Sequence, residues 1–259
     1  MLTAVSGLCA QRLVRRSKSV AGNSAPRDST TPKFRRASAA LRRDDLVAAT
    51  LSCLQKFGHA GVSVRRISAE AGVTMGLINH HFKGIAALVA AAYDSLATAF
   101  LAAGRERALA GVASPVGRLQ AFFEASFSPA GIDPAVFRTW LVFWSLAAHS
   151  EEVRAVHDRT YAETRATLEA LLERLQREPT VPAFHLKPAA IGLAALIDGL
   201  WVELSLNAQS FTSTAAVSLC TDWVNALAIG ALPSLRAGPP RVKSPRERPP
   251  LSHSPRHRP

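Results

Sequence analysis

Apolar positions recur along this chain at helical spacing almost from end to end. Leu46, Val47, Thr50, Leu51, Leu54 and Phe57 fall at i, i+1, i+4, i+5, i+8 and i+11, the stripe of an amphipathic helix. Val64, Ile67 and Ala71 make a second, shorter face. Gly72 ends it, because a left-handed residue costs glycine little. Thr74 is placed to cap a third helix, and Val73, Ile78 and Phe82 supply that helix's apolar face. Thr74, Met75, Gly76, Leu77, Asn79 and His80 are then left pointing outward, and Gly76 leaves room for close approach to a surface. Helices this short cannot bury their own faces, so the first must pack on the other two. A glycine-turned helix pair braced in this way is how a chain sets a helix into the major groove of DNA.

The remainder also reads as helix. Residues 86–104 form a long alanine-rich helix, and Ser114-Pro115 restarts the chain into a helix over 116–127. Pro129, Gly131 and Pro134 punctuate a loop over 128–134. Residues 135–149 are strongly apolar. Residues 151–176 are amphipathic, with Val153, Val156, Tyr161, Leu168, Leu171, Leu172 and Leu175 on one face. Pro179 and Pro182 mark a loop over 178–185, and helices over 188–206 and 214–232 follow. Ile191, Leu193, Leu196, Ile197, Leu200, Trp201 and Leu204 cover more than one face, so this helix must be covered on most sides. Subunit association is one way to cover it. No repeat and no strand pattern is present. The expected fold is all-α. A three-helix DNA-binding domain over 39–83 precedes a helical effector-binding and dimerisation domain over 84–232. A disordered basic tail, 1–38, and a disordered Pro/Arg-rich tail, 233–259, flank them.

The stretch Arg42–Gly84, RRDDLVAATLSCLQKFGHAGVSVRRISAEAGVTMGLINHHFKG, resembles the N-terminal domain of the TetR family of transcriptional repressors. The glycine–valine–Ser/Thr turn, Gly76 and the aromatic ending at Phe82 carry the likeness. Three further stretches resemble the BetI type, the choline-responsive repressors of glycine betaine synthesis. They are Leu77–Phe82, then Thr139–Trp144 with His149, and Gly192–Leu206. Together the resemblance spans about residues 40–232. One departure stands out: the family commonly has Lys at the position of Ile85, whereas here the base is Lys83.

Charge sharpens this picture. The chain of 259 residues carries a net +12, unevenly placed. Residues 1–40 hold +7 and residues 236–259 hold +6. Residues 41–83 hold +3, and 84–235 hold −4. A basic head on a mildly acidic body suits a DNA-binding regulator. Cys9, Cys53 and Cys220 lie far apart, so neither a disulfide framework nor a zinc finger is indicated, and Cys53 reads as a small buried thiol. No apolar run approaches the roughly 20 residues needed to span a bilayer. A reduced cytoplasm is the expected compartment, with no membrane partner and no cofactor.

Two constellations carry chemistry. In the head, Arg35, Arg36, Arg42, Arg43, Arg65, Arg66 and Lys83 are candidates for phosphate neutralisation, which gives affinity and salt dependence rather than sequence choice. Asn79 can bond a base edge or a phosphate, and Met75 or Leu77 can touch a thymine methyl. Family likeness implies a backbone-phosphate contact at His81. The full expected DNA-facing set is Arg42, Arg43, Ser63, Arg65, Thr74, Met75, Gly76, Leu77, Asn79, His80, His81 and Lys83. Farther on, Trp140 and Trp144 share a helix face with Phe137, and Trp201 follows Asp198 by three residues. Aromatic faces with a nearby carboxylate hold quaternary ammonium ions. Glu124 and Glu203 are weaker anion candidates. The alternative is that these tryptophans fill the core or the dimer seam. His80, His81, His149 and His157 do not form a metal set. No nucleophile elbow, phosphate loop or dinucleotide fingerprint occurs.

The sequence therefore predicts a homodimeric repressor, not an enzyme, that binds a pseudo-palindromic operator in double-stranded DNA. A small effector, choline or another quaternary ammonium, is expected to relieve repression of glycine betaine synthesis genes. The alternatives are a regulator of the same fold serving another pathway and sensing a different molecule, and a helical enzyme or scaffold.

Overall fold

The chain starts its helices where it supplies caps. In the computed structural model, which describes residues 39–110 and 114–237, Ser63, Ser114, Asp133, Ser150 and Thr212 each accept a backbone N–H of the first helical turn through their side chains. Pro115 and Pro134 stand at first helical positions, where a missing N–H costs nothing. The helices are α1 (Ala39–Phe57), α2 (Val64–Ala71), α3 (Met75–His81), α4 (Ile85–Leu109), α5 (Pro115–Ser126), α6 (Pro134–Ala147), α7 (Glu151–Gln176), α8 (Leu186–Leu206) and α9 (Ser213–Ala228). Among the described residues there is no strand, only an isolated bridge between Phe184 and Arg236.

Three expectations are corrected. α4 runs five residues past Gly104. That glycine lies inside the helix because a Cβ there would stand 2.7 Å from the Phe122 ring of α5. α9 stops at Ala228 rather than Leu232, since Gly230 at φ +72° turns the chain and Ala231 N–H closes onto Ala226 O. The ordered chain also passes 233: Pro233–Leu235 is a 3-10 turn, and His185 and Ala237 N–H bond Leu235 O and Ala183 O. The rest of both predicted tails, with Cys9, Arg35 and Arg36, lies outside the described residues.

Two apolar clusters share α1. One face of it sends Leu46, Ala49 and Cys53 into a small core with Ile67, Ile78, Phe82 and Leu88. Its other face sends Leu51 and Leu54 into the large core of α4–α9. Leu88 belongs to α4, so the long helix fills part of the head's interior. By length and composition α4 and α8 are apolar enough to cross a membrane, against the expectation that no run approaches that length. Here both are packed among other helices, α4 against α1, α5 and α7, and α8 against α7 and α9.

Candidate functional site

The head is organised around its glycine turn. Gly72 is left-handed at φ +65°, its N–H bonds Ala69 O, and Val73 N–H bonds Ser68 O. α3 then presents Thr74, Met75, Gly76, Asn79 and His80 to solvent, with Met75 57% exposed. Gly76 faces open space, and an added Cβ would meet nothing within 4 Å. Arg65 and Lys83 are exposed. Arg42, Leu77 and His81 are half-buried.

Several predicted groups have local duties. Thr74 holds the cap position of α3 but makes no side-chain cap bond. The Ser63 hydroxyl caps α2. The Arg43 guanidinium donates to His81 O at 2.8 Å and lies 4.1 Å from the centre of the Phe82 ring, which braces α1 against the end of α3. Phe57, expected on the buried stripe, is 45% exposed and sits under Arg66. Lys56 and Ser52 of α1 both bond Glu70 of α2.

The second constellation comes together in a cavity of about 90 Å³ bounded by α4–α8. Trp140, Trp144, Asp198 and Trp201 all line it. The indole centres lie 6.3 Å (Trp140–Trp144), 6.3 Å (Trp140–Trp201) and 6.1 Å (Trp144–Trp201) apart, inclined at 45°, 83° and 73°. The rings thus form a near-equilateral triangle. A cation about 3.5 Å off its plane would stand about 5 Å from each ring centre, a distance at which any ring turning its face to that point makes a cation–π contact. Trp201 is fixed by its N–H to Gly131 O, 3.0 Å, in the loop before α6.

Phe137 does not line the cavity. It packs edge-on against Trp201 at 5.2 Å and backs the cage from behind. Glu124 and Glu203 are exposed, and Glu124 pairs with Arg107. Asp198 is therefore the carboxylate of the site. Burial pushes its carboxyl up to about 6, with the Tyr161 hydroxyl pulling the other way. Burial also raises the Tyr161 hydroxyl, and the neighbouring Asp198 charge adds to this.

Sequence reasoning missed Tyr161 as a cavity residue, having counted it among the buried stripe of α7. It also missed Phe100, Arg165 and the role of Tyr93. Tyr93 of α4 meets Trp140 edge-on at 5.4 Å, stacks on Phe143 at 4.6 Å, and its hydroxyl lies 2.9 Å from His157 Nδ1. Burial lowers the His157 pKa, so this bond joins neutral groups near pH 7. A second, more open cleft shares Trp144 and Tyr161 with the cavity. Among the described residues, no group of His, Cys, Asp and Glu is arranged to hold a metal.

Comparison with known proteins bears on both halves. Residues 46–92 match the family described as bacterial regulatory proteins, tetR family, and residues 115–228 match the BetI-type transcriptional repressor C-terminal domain. The chain is 30% identical over 187 residues to the HTH-type transcriptional regulator BetI of Paraburkholderia phymatum, covering 72% of this chain and 93% of that one. It is 32% identical over 185 residues to the regulator of the same name from Serratia proteamaculans, covering 71% and 91%. Among solved structures, a transcriptional regulator from Pseudomonas aeruginosa superposes with a TM-score of 0.72 at 42% identity, over 79% of this chain and 98% of that one. One from Saccharomonospora viridis, solved in complex with choline, gives 0.63 at 17% identity, over 72% and 96%.

Proposed function

Because the chain belongs to the TetR family of transcriptional regulators and carries its BetI-type C-terminal domain, we propose that a quaternary ammonium effector, with choline as its simplest form, releases it from operator DNA by binding at the tryptophan triangle. The observation that carries this is the set of three indoles at 6.1–6.3 Å with the Asp198 carboxylate on the same cavity. Aromatic faces attract the cation, and Asp198 offsets the cost of taking its charge out of water. That a protein of the same fold was solved with choline supports the reading.

On DNA the family acts as a dimer, which sets two recognition helices about 34–36 Å apart on a pseudo-palindrome. We assign base contacts to Asn79, Met75 and Leu77, and phosphate contacts to Arg42, Arg65, His81 and Lys83. The dimer seam is α8 and α9, where Ile191 and Leu219 are 56% and 49% exposed in the single chain. The regulated genes are those of glycine betaine synthesis, and the compartment is the cytoplasm.

The route from effector to DNA runs through Tyr93. A cation that tilts Trp140 presses on Tyr93, which is part of α4, and α4 fills the head's interior with Leu88. Such coupling needs different ligand affinities in the two conformations. Calorimetry with choline, paired with operator binding, tests the proposal. Choline should bind and weaken operator affinity, and Trp140→Ala should lose choline far more than operator. No heat at millimolar choline, or equal loss of both ligands, rejects it.

A further inference from the structure

The cavity is bordered by a second charged residue that a simple cation does not use. Arg165 of α7 lines it, half-buried, and among the described residues its guanidinium makes no ion pair and no hydrogen bond. It does not pair with Asp198, whose carboxyl is shifted by burial and by Tyr161 alone. The indole N–H groups of Trp140 and Trp144 are also buried without partners. Three of the four hydroxyls on this wall are already committed to backbone carbonyls. Ser126 donates to Phe122 O, Thr160 to Val156 O and Thr164 to Thr160 O. They offer lone pairs to a ligand, while Arg165, Trp140 and Trp144 offer hydrogens.

A choline hydroxyl can donate to that wall and accept one hydrogen in return, yet it brings no negative charge to Arg165 and adds a positive one to the same cavity. A ligand with an anionic end supplies the negative charge. The two charged residues bordering the cavity, Asp198 and Arg165, are of opposite sign, and a zwitterion matches both. We infer that the preferred effector is a betaine, a quaternary ammonium that also carries a carboxylate, and that Arg165 is the specificity-determining residue that receives the carboxylate. The inference rests on the quaternary ammonium reading of the cage. A guanidinium is suited to it, since it meets a carboxylate through two parallel N–H bonds and never loses its charge.

The test is titration calorimetry on the full chain at pH 7.5. The probes are choline, glycine betaine and 4-(trimethylammonio)butanoate. At least one of the two betaines should bind roughly tenfold tighter than choline, as a charge-assisted bond implies. Arg165→Gln should erase that preference while binding choline as well as, or better than, the parent protein. Arg165→Lys, which keeps the charge, should retain part of it. Choline bound tighter than both betaines, or a preference unchanged in Arg165→Gln, overturns the inference and leaves the cage standing. Silence with all three probes overturns the cage and the inference together.

Discussion

Asp198→Asn removes the carboxylate of the cavity while keeping the shape of the side chain. In the parent protein, burial moves this carboxyl from 3.8 to about 6. A raised carboxyl pKa means the folded state holds its proton more tightly than the unfolded chain does. Stability therefore falls as pH rises from about 4 to about 6, by roughly 3 kcal/mol when the shift is taken whole. Asparagine has no charge to strip of water. After allowing about 1 kcal/mol for a weaker bond with Tyr161, the variant should be more stable at pH 7.5 by about 1–2 kcal/mol, and no more stable at pH 4. In a chain of this size that is a rise in Tm of roughly 2–8 °C, measured at fixed protein concentration because the protein dimerises. Effector binding should move the other way. Only ionised Asp198 attracts the cation, so the parent protein should bind choline roughly tenfold more weakly at pH 5 than at pH 7. The variant should bind weakly at both. Scanning calorimetry at pH 4 and 7.5 and titration calorimetry at pH 5 and 7 read the two effects. A variant less stable than the parent at pH 7.5, or parent affinity flat between pH 5 and 7, refutes the reasoning.

Other substitutions probe other links. Asn79→Ala should weaken operator binding in a gel-shift or anisotropy assay while changing stability by less than about 0.5 kcal/mol, since the side chain is exposed. Gly72→Ala, at φ +65°, should destabilise the head by about 1 kcal/mol or more in urea unfolding. Leu219→Glu, at a position 49% exposed on α9, should shift the dimer toward monomer in analytical ultracentrifugation with helicity by circular dichroism unchanged.

Helix starts were legible because caps are local chemistry. Ser114-Pro115, Ser150-Glu151 and the glycine turn at 72 announce themselves within a few residues. Periodicity also gave the buried side of α7, but a buried side does not say what it faces. Tyr161 satisfies the same stripe as Leu172 and Leu175, yet it borders the cavity beside Asp198, whereas those two leucines lie in the packed core. That distinction depends on where α8 crosses α7, which no spacing within one helix encodes. Phe137 failed for a related reason. It shares the face of Trp140, but Trp201 comes between it and the cavity once the indole N–H is tied to Gly131 O. In the head, counting arginines gave the charge and not its local commitments. Nothing near Arg43 in the sequence shows that the Phe82 ring lies beneath it.

The shared helix α1 has a consequence for anyone who would transplant this sensor. Leu51 and Leu54 are rooted in the effector half, whereas Leu46 and Cys53 are rooted in the DNA-reading half, and Leu88 reaches back across the joint. A graft cut at residue 83 would leave a hole where Leu88 sat and two bare leucines on the excised piece. Chimeric biosensors built from this protein should therefore be spliced after the head's last apolar contribution, with the partner's own residues matched to Leu51 and Leu54. The two halves are interlocked parts, and the seam between them cannot be moved without recutting both.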